Sequence, residues 1–207
     1  MTRRVDVARL YGARDLDELR EEYERIASIY DHDLAGPTDY CSPVAVAMVC
    51  SRLLVCGARI LDVGAGTGLL GAELAASGFT RLDALDLSPA MLEQAERKEI
   101  YGSLIEARLG ERLPVETNAY DAVVASGVMT TGHAPASSLD ELVRITRPGG
   151  HVVFTLRSDR PPDGFAERIA AIQDAGRWEL VERGEEMQAM PTSEPEVLVR
   201  VWVLRVA

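Results

Sequence analysis

Apolar positions along this chain change rhythm near residue 58. Before that point they recur at helical spacing. Leu16, Leu19, Tyr23, Ile26, Ala27 and Tyr30 fall on one face of a predicted helix, with Asp15 and Glu18 placed as a capping box at its start. A second helix is predicted from Ser42-Pro43, where a serine can cap and a proline fits the first helical position. It is apolar nearly all round through Val55 and stops near Gly57, so it is expected to be buried.

From Ala58 onward, short continuous apolar runs alternate with helical patterns. "ARILDVG", "RLDALDL", "SLIEARL", "YDAVVAS" and "HVVFTLR" read as strands. Helices are predicted from Gly68 to Ser77, from Ser88-Pro89 toward Arg97, from Pro135 to Thr146 ahead of "RPGG", and from Asp163 to Ala175. Unbroken apolar strands separated by helices imply a parallel sheet covered on both faces. The last two runs, "WELVERGEEMQAM" and "EVLVRVWVLRVA", have only a turn between them and must pair antiparallel. The expectation is an α/β fold: a doubly wound, seven-stranded, mostly parallel sheet with its last strand antiparallel. Helices cover both faces, and a helical N-terminal lid adds to them. Residues 1–57 would form that cap and residues 58–207 the ligand-binding core of a single domain. Trp178 and Trp202, in the terminal strands, are expected in the core.

Composition narrows the partners. With 207 residues and 47% apolar content the chain can bury a core of its own. A net charge of −11, spread along the chain, repels phosphate backbones and anionic lipid, which argues against nucleic acid and membrane. The longest apolar stretch, Pro43 to Cys50, is too short to span a bilayer, and no apolar run follows the N-terminal arginines. A cytoplasmic protein is expected. Cys41, Cys50 and Cys56 are odd in number and lack CxxC spacing, as buried free thiols in a reducing compartment would be. Lys98 is the only lysine among 22 basic residues.

The first strand of the alternating region runs into a glycine turn, "LDVGAGTGLLGAEL". A P-loop would need a lysine after the glycines, but Leu69 and Leu70 follow Gly68. A dinucleotide turn would need GxGxxG, and Leu69 stands where its third glycine belongs. Asp62 lies two residues ahead of the turn. An ionised carboxylate there would repel a pyrophosphate at about 6 Å by roughly 3 kcal/mol at an effective dielectric of about 20, and would attract a cation by a similar amount. Asp86 ends the next strand, where an acid in doubly wound folds accepts hydrogen bonds from ribose hydroxyls. A ribose, no phosphate and a cationic centre together describe S-adenosyl-L-methionine, whose demethylated product is S-adenosyl-L-homocysteine.

With these motifs in order, "LDVGAGTG", "LDLSPAML" and "RPGG", the chain resembles the class I S-adenosylmethionine-dependent methyltransferases. "YERIASIYDHD", Tyr40-Cys-Ser-Pro, "LGERLP" and "SGVMTTGHAP" are similar to a narrower group, the Williams–Beuren-region methyltransferase-like proteins. The resemblance implies that Gly64, Ala65 and Gly66 lie against the aminoacyl end and sugar of the cofactor. It places Asp86 on the ribose, Leu87 and Met91 near the adenine, and Ser126 beside the methionine part. Leu109 stands where most such enzymes carry an aspartate toward the adenine. Gly110 and Glu111 follow it, and Glu111, backbone or water would meet the adenine amino group.

Ser126-Gly127-Val128-Met129 replaces the Asn/Asp-Pro-Pro-aromatic sequence by which enzymes of this type methylate adenine or glutamine, so the resemblance implies a small-molecule methyl acceptor. In-line displacement at a sulfonium methyl demands alignment and exclusion of water rather than a metal, and no ligand spacing suggests one. His133 is the candidate base for a proton-bearing acceptor. Tyr23, Tyr30 and Tyr40 are candidate lid residues that reach the substrate. His32 and His151 are expected to be surface or structural. Two alternatives stay open: a protein that binds S-adenosylmethionine without turnover, and a nicotinamide-dependent oxidoreductase, against which Leu69 and Asp62 both speak.

Overall fold

A computed structural model describes residues 9–10, 12–34 and 40–207. Two helices come first, α1 (Leu16–Leu34) and α2 (Ser42–Leu53). The alternating region follows as β1 (Arg59–Val63), α3 (Leu69–Ala76), β2 (Arg81–Asp86), α4 (Pro89–Glu96), β3 (Tyr101–Glu106), β4 (Tyr120–Met129), α5 (Ser138–Ile145), β5 (Thr146–Arg157) and α6 (Phe165–Asp174). The chain closes with β6 (Trp178–Arg183), β7 (Met187–Met190) and β8 (Glu194–Val206). The sheet order is β3-β2-β1-β4-β5-β8-β6, with β7 also on β8. Pairing is parallel from β3 to β5, and β8 is antiparallel to its neighbours.

The expected doubly wound sheet is therefore present, with eight strands among the described residues rather than seven. "WELVERGEEMQAM" is two strands, because Gly184 interrupts the run. Its N–H bonds the Val201 carbonyl at 2.8 Å, and the register along β8 shifts between Leu180 and Glu182. β6 and β7 thus line successive halves of the long β8.

Side chains alternate across the central strands and build two cores. Leu61, Val123, Val152 and Phe154 pack with α5 and α6, while Ile60, Val124 and Val153 pack under α2 and α3. β1 and β4 are adjacent although they are not consecutive, so the order reverses there and a crevice opens at their carboxyl ends.

The helical cap differs from expectation in detail. Asp15 caps α1 by accepting from the Asp17 and Glu18 N–H groups, but Glu18 does not reach back to it. Its carboxylate instead accepts from the Arg14 backbone and guanidinium. α2 is buried on one face only. Val46, Ala47 and Cys50 pack on the sheet, whereas Met48 is 69% exposed and Val55, just past the helix, 76%. A helix laid on an outer face has no second layer above it. Cys56, in the turn beyond α2, is exposed rather than buried, and Cys41 is half-buried. Trp178 is buried as expected, and Trp202 is half-buried beneath the Arg183 guanidinium. Among the described residues no helix is long and apolar enough to cross a membrane.

Candidate active site

The glycine turn is strapped to the end of β2. Gly64 and Ala65 donate to the Leu85 carbonyl at 2.7 and 3.0 Å, and Gly66 donates to Asp86 Oδ2 at 2.8 Å. Asp86 Oδ1 accepts from the Ser88 N–H at 2.9 Å, while the Ser88 hydroxyl caps α4 at Met91. Burial raises the Asp86 pKa, and these backbone donors oppose the rise. Gly64 has no alternative: its φ is +65°, and a Cβ would meet Val128 Cγ2 at 2.3 Å. At Gly66 a Cβ would meet nothing, so the chain there borders open space.

Asp62 is buried on β1. Tyr101 donates its hydroxyl to Oδ2 at 2.6 Å, and Oδ1 has no hydrogen-bond partner. Desolvation pushes the carboxyl up to about 7; Asp86 adds to the rise and the Tyr101 hydrogen bond opposes it. Asp62 is therefore not the fully ionised strand-end acid that its place in the sequence suggests. Burial makes it a group poised between states that gains from any donor brought to Oδ1. Tyr101 reaches it because α3 carries Gly71, where a Cβ would lie 2.0 Å from the Tyr101 oxygen. Neither residue was singled out from sequence. The available signal was the glycine inside a helix, a choice that costs about 1 kcal/mol against alanine and marks a close approach.

These groups open onto one cleft at the β1/β4 switch point. Its empty space is about 870 Å³, mouth included. Asp62, Gly64, Ala65, Gly66 and Asp86 line one wall. Leu87, Met91, Leu109 and Ser126 line it further along, with Arg108 beside them. The buried Ser126 hydroxyl has no hydrogen-bond partner. Gly110 and Glu111 do not line the cleft. Gly110 backs onto Pro135, which a Cβ would meet at 2.5 Å, and the exposed Glu111 pairs with Arg108 at 3.9 Å.

Tyr23, Tyr30, Tyr40, Gly127 and His133 border this cleft and also a second chamber behind it. His133 Nδ1 lies 3.2 Å from the Thr131 carbonyl, which can only accept. Nδ1 therefore carries the proton, and Nε2 accepts from the Tyr23 hydroxyl at 2.9 Å. Burial holds the imidazole pKa below its ordinary value. His32 is exposed beside Asp33, and His151 is half-buried in β5, away from both chambers. α1 is tied down at two places. Leu19, Ile26 and Ala27 pack on Met91, and Lys98 Nζ bonds both Asp31 and the Thr67 carbonyl, the latter at 2.6 Å. The Thr67 hydroxyl also donates to Asp31. Among the described residues no three metal-ligating side chains converge.

Residues 61–154 match a family described as a methyltransferase domain. The chain is 37% identical over 185 residues to methyltransferase-like protein 27 of Homo sapiens, covering 85% of this chain and 74% of that protein. It belongs to the S-adenosylmethionine-dependent methyltransferases. A demethylmenaquinone methyltransferase of Clavibacter sepedonicus is 34% identical over 67% of this chain, which spans 58% of that relative. The crystal structure of the cyclase SpnF superposes with a TM-score of 0.73 at 17% identity, over 94% of this chain and 97% of that one, and shares the fold.

The residues present fit this methyltransferase's cofactor. The orphaned Oδ1 of Asp62 wants a cationic donor, and the open space at Gly66 admits close approach. The carboxylate of Asp86 has lone pairs left for hydroxyls beyond its two backbone bonds. S-adenosylmethionine supplies an electrophilic methyl carbon on a sulfonium and leaves as S-adenosylhomocysteine.

Proposed function

We propose that this methyltransferase transfers the methyl group to a small-molecule acceptor by in-line displacement, with the acceptor held in the chamber behind the cofactor cleft. The observation that carries the reading is the shared wall of the two spaces: Tyr23, Tyr30, Tyr40, Gly127 and His133 border both. An acceptor in the second space would approach through that neck, beneath α1, where water is displaced by tyrosine rings and apolar side chains. Residues 1–57 serve as the cap and residues 58–207 as the cofactor-binding core of one domain.

Within this reading Asp62 holds the cofactor's ammonium group through Oδ1, and Asp86 holds the ribose. Leu87, Met91 and Leu109 flank the adenine, and the Ser126 hydroxyl meets the methionine part. His133 is the base, its Nε2 left free of hydrogen by its tautomer and bonded by the Tyr23 hydroxyl. The relative named for demethylmenaquinone methylation supports a small acceptor. The net charge of −11 weighs against nucleic acid. The test is calorimetry with S-adenosylhomocysteine followed by a screen of small acceptors for S-adenosylhomocysteine formation. Binding with turnover of at least one compound supports the reading, while methylation of RNA or protein with none of a small-molecule panel refutes it.

A further inference from the structure

The second chamber has a chemical character of its own. Ala189 and Met190 of β7, with Val197 and Val199 of β8, make an apolar floor on which Tyr30 and Tyr40 rest. No aspartate or glutamate lines the chamber among the described residues. Arg157 is the permanently charged side chain among the described lining residues, and its Nε and a second guanidinium nitrogen donate to the Asp159 carboxylate. A ligand cation would find no carboxylate among the described lining residues, and a ligand anion would have to compete with Asp159. Either would leave water without a free counter-charge, which is costly.

Tyr30, Tyr40, Ser42 and Thr155 also bring hydroxyls to the lining, the last accepting from the Gly127 N–H, but two points bear on an acceptor. At the neck, the Tyr23 hydroxyl donates to His133 Nε2. Inside, the Thr130 hydroxyl is buried and has no hydrogen-bond partner. We infer that the chamber takes a neutral aromatic or enolic compound, presenting one hydroxyl to the Tyr23–His133 pair and a second oxygen to Thr130. This rests on the methyl-transfer reading above. A hydroxyl rather than an aliphatic amine follows from charge, because an alkylamine of pKa about 10.4 enters as a cation. An aryl or enol hydroxyl rather than an alcohol follows from acidity. A buried neutral imidazole is a weak base, matched better to a hydroxyl of pKa about 10 than to one near water's 15.7.

In the step this implies, the acceptor oxygen bonds to the methyl carbon as the carbon–sulfur bond breaks, and that electron pair stays on sulfur. The acceptor's proton passes to the Tyr23 oxygen while Tyr23 gives its own to His133 Nε2. The products are the methyl ether, S-adenosylhomocysteine and an imidazolium that returns its proton to solvent. Tyr23 thereby touches the acceptor and is a catalytic residue.

Four compounds on one ring separate the possibilities: 2-naphthol, 2-naphthylmethanol, 2-naphthylmethylamine and 2-naphthoate. Each is incubated with the whole protein and S-adenosylmethionine, and also added to the S-adenosylhomocysteine-saturated protein in a melting experiment. The expected result is O-methylation of 2-naphthol with kcat/KM about tenfold or more above the other three, and a raised melting temperature with 2-naphthol but not with the charged compounds. Tyr23→Phe is expected to lower kcat for 2-naphthol while leaving S-adenosylhomocysteine affinity unchanged. Faster methylation of the amine, the acid or the alcohol overturns the inference. So does a protein that binds S-adenosylhomocysteine but neither methylates 2-naphthol nor is stabilised by it, although cofactor binding then stands. Failure to bind S-adenosylhomocysteine removes the methyl-transfer reading as well.

Discussion

Asp62→Asn is expected to make the empty protein more stable at mildly alkaline pH while weakening its hold on S-adenosylmethionine. The native carboxyl titrates near 7, against an ordinary 3.8 for an aspartate in water, because it is desolvated beside Tyr101 and Asp86. The folded state therefore binds a proton more tightly than the unfolded one. Stability falls as pH rises through the window from 3.8 to about 7 and is level above it. About three pKa steps at 1.36 kcal/mol each give a penalty of about 4 kcal/mol once the group is ionised. Asparagine does not titrate, and its carbonyl can still accept from Tyr101. Its amide hydrogens would be left without an acceptor, at a cost of about 1–3 kcal/mol. The net gain near pH 8 is then about 1–3 kcal/mol, and relative to wild type it shrinks toward pH 5. On the proposed reading Asp62 is the charged partner of the ammonium group, and its loss is expected to weaken binding by about 1.5–3 kcal/mol, roughly 10- to 150-fold in Kd. Urea unfolding near pH 5 and pH 8, with calorimetry on S-adenosylmethionine, reads both quantities. A variant that is less stable near pH 8, keeps the wild-type pH slope and binds with wild-type affinity would refute the reasoning.

Four other changes probe the rest of the site. Asp86→Ala removes the acceptor for Gly66 and Ser88 and, on the proposed reading, a ribose partner, and is expected to weaken cofactor binding by about 1–3 kcal/mol with the fold retained; unchanged affinity in calorimetry removes Asp86 from the site. Gly71→Ala places a Cβ 2.0 Å from the Tyr101 oxygen, so the ring must withdraw from Asp62. Despite better helix propensity, unfolding at lower temperature and weaker cofactor binding are expected, and a rise in melting temperature would contradict this. Lys98→Met cuts the link among α1, the Thr67 carbonyl and α4, and is expected to speed S-adenosylhomocysteine release several-fold, with Lys98→Arg restoring part of the retention; stopped-flow dissociation decides. His133→Gln is expected to spare cofactor affinity but lower turnover. In the wild type, activity is held as pH falls to 6.5 and is lost only below it, because burial lowers the imidazole pKa and the base works unprotonated; a loss already complete above pH 6.5 would exclude that role.

Much was legible in one dimension because its causes are local. The period of apolar residues marked six helices and the central parallel strands. The glycine turn between β1 and α3 was legible for the same reason, since a turn's backbone is set by neighbours in the chain. The resemblance puts Gly110 and Glu111 beside the adenine by their position in a motif, and position in a motif does not tell which way a loop turns once Pro135 packs behind it. The same holds for "WELVERGEEMQAM", whose division depends on where Gly184 meets Val201 across the sheet.

Only the tertiary structure decided the properties that arise from groups far apart in the chain. Asp62 and Tyr101 meet 39 residues apart, and burial, which no local pattern encodes, brings the carboxyl to about 7. Tyr23 and His133, 110 residues apart, acquire a hydrogen bond of defined direction only by touching. The sole lysine reads as an ordinary surface charge until α1 folds over the glycine turn and Asp31 arrives beside it. Backbone geometry and hydrophobic period are written residue by residue, whereas proton affinity and enclosure belong to the three-dimensional surroundings of a group.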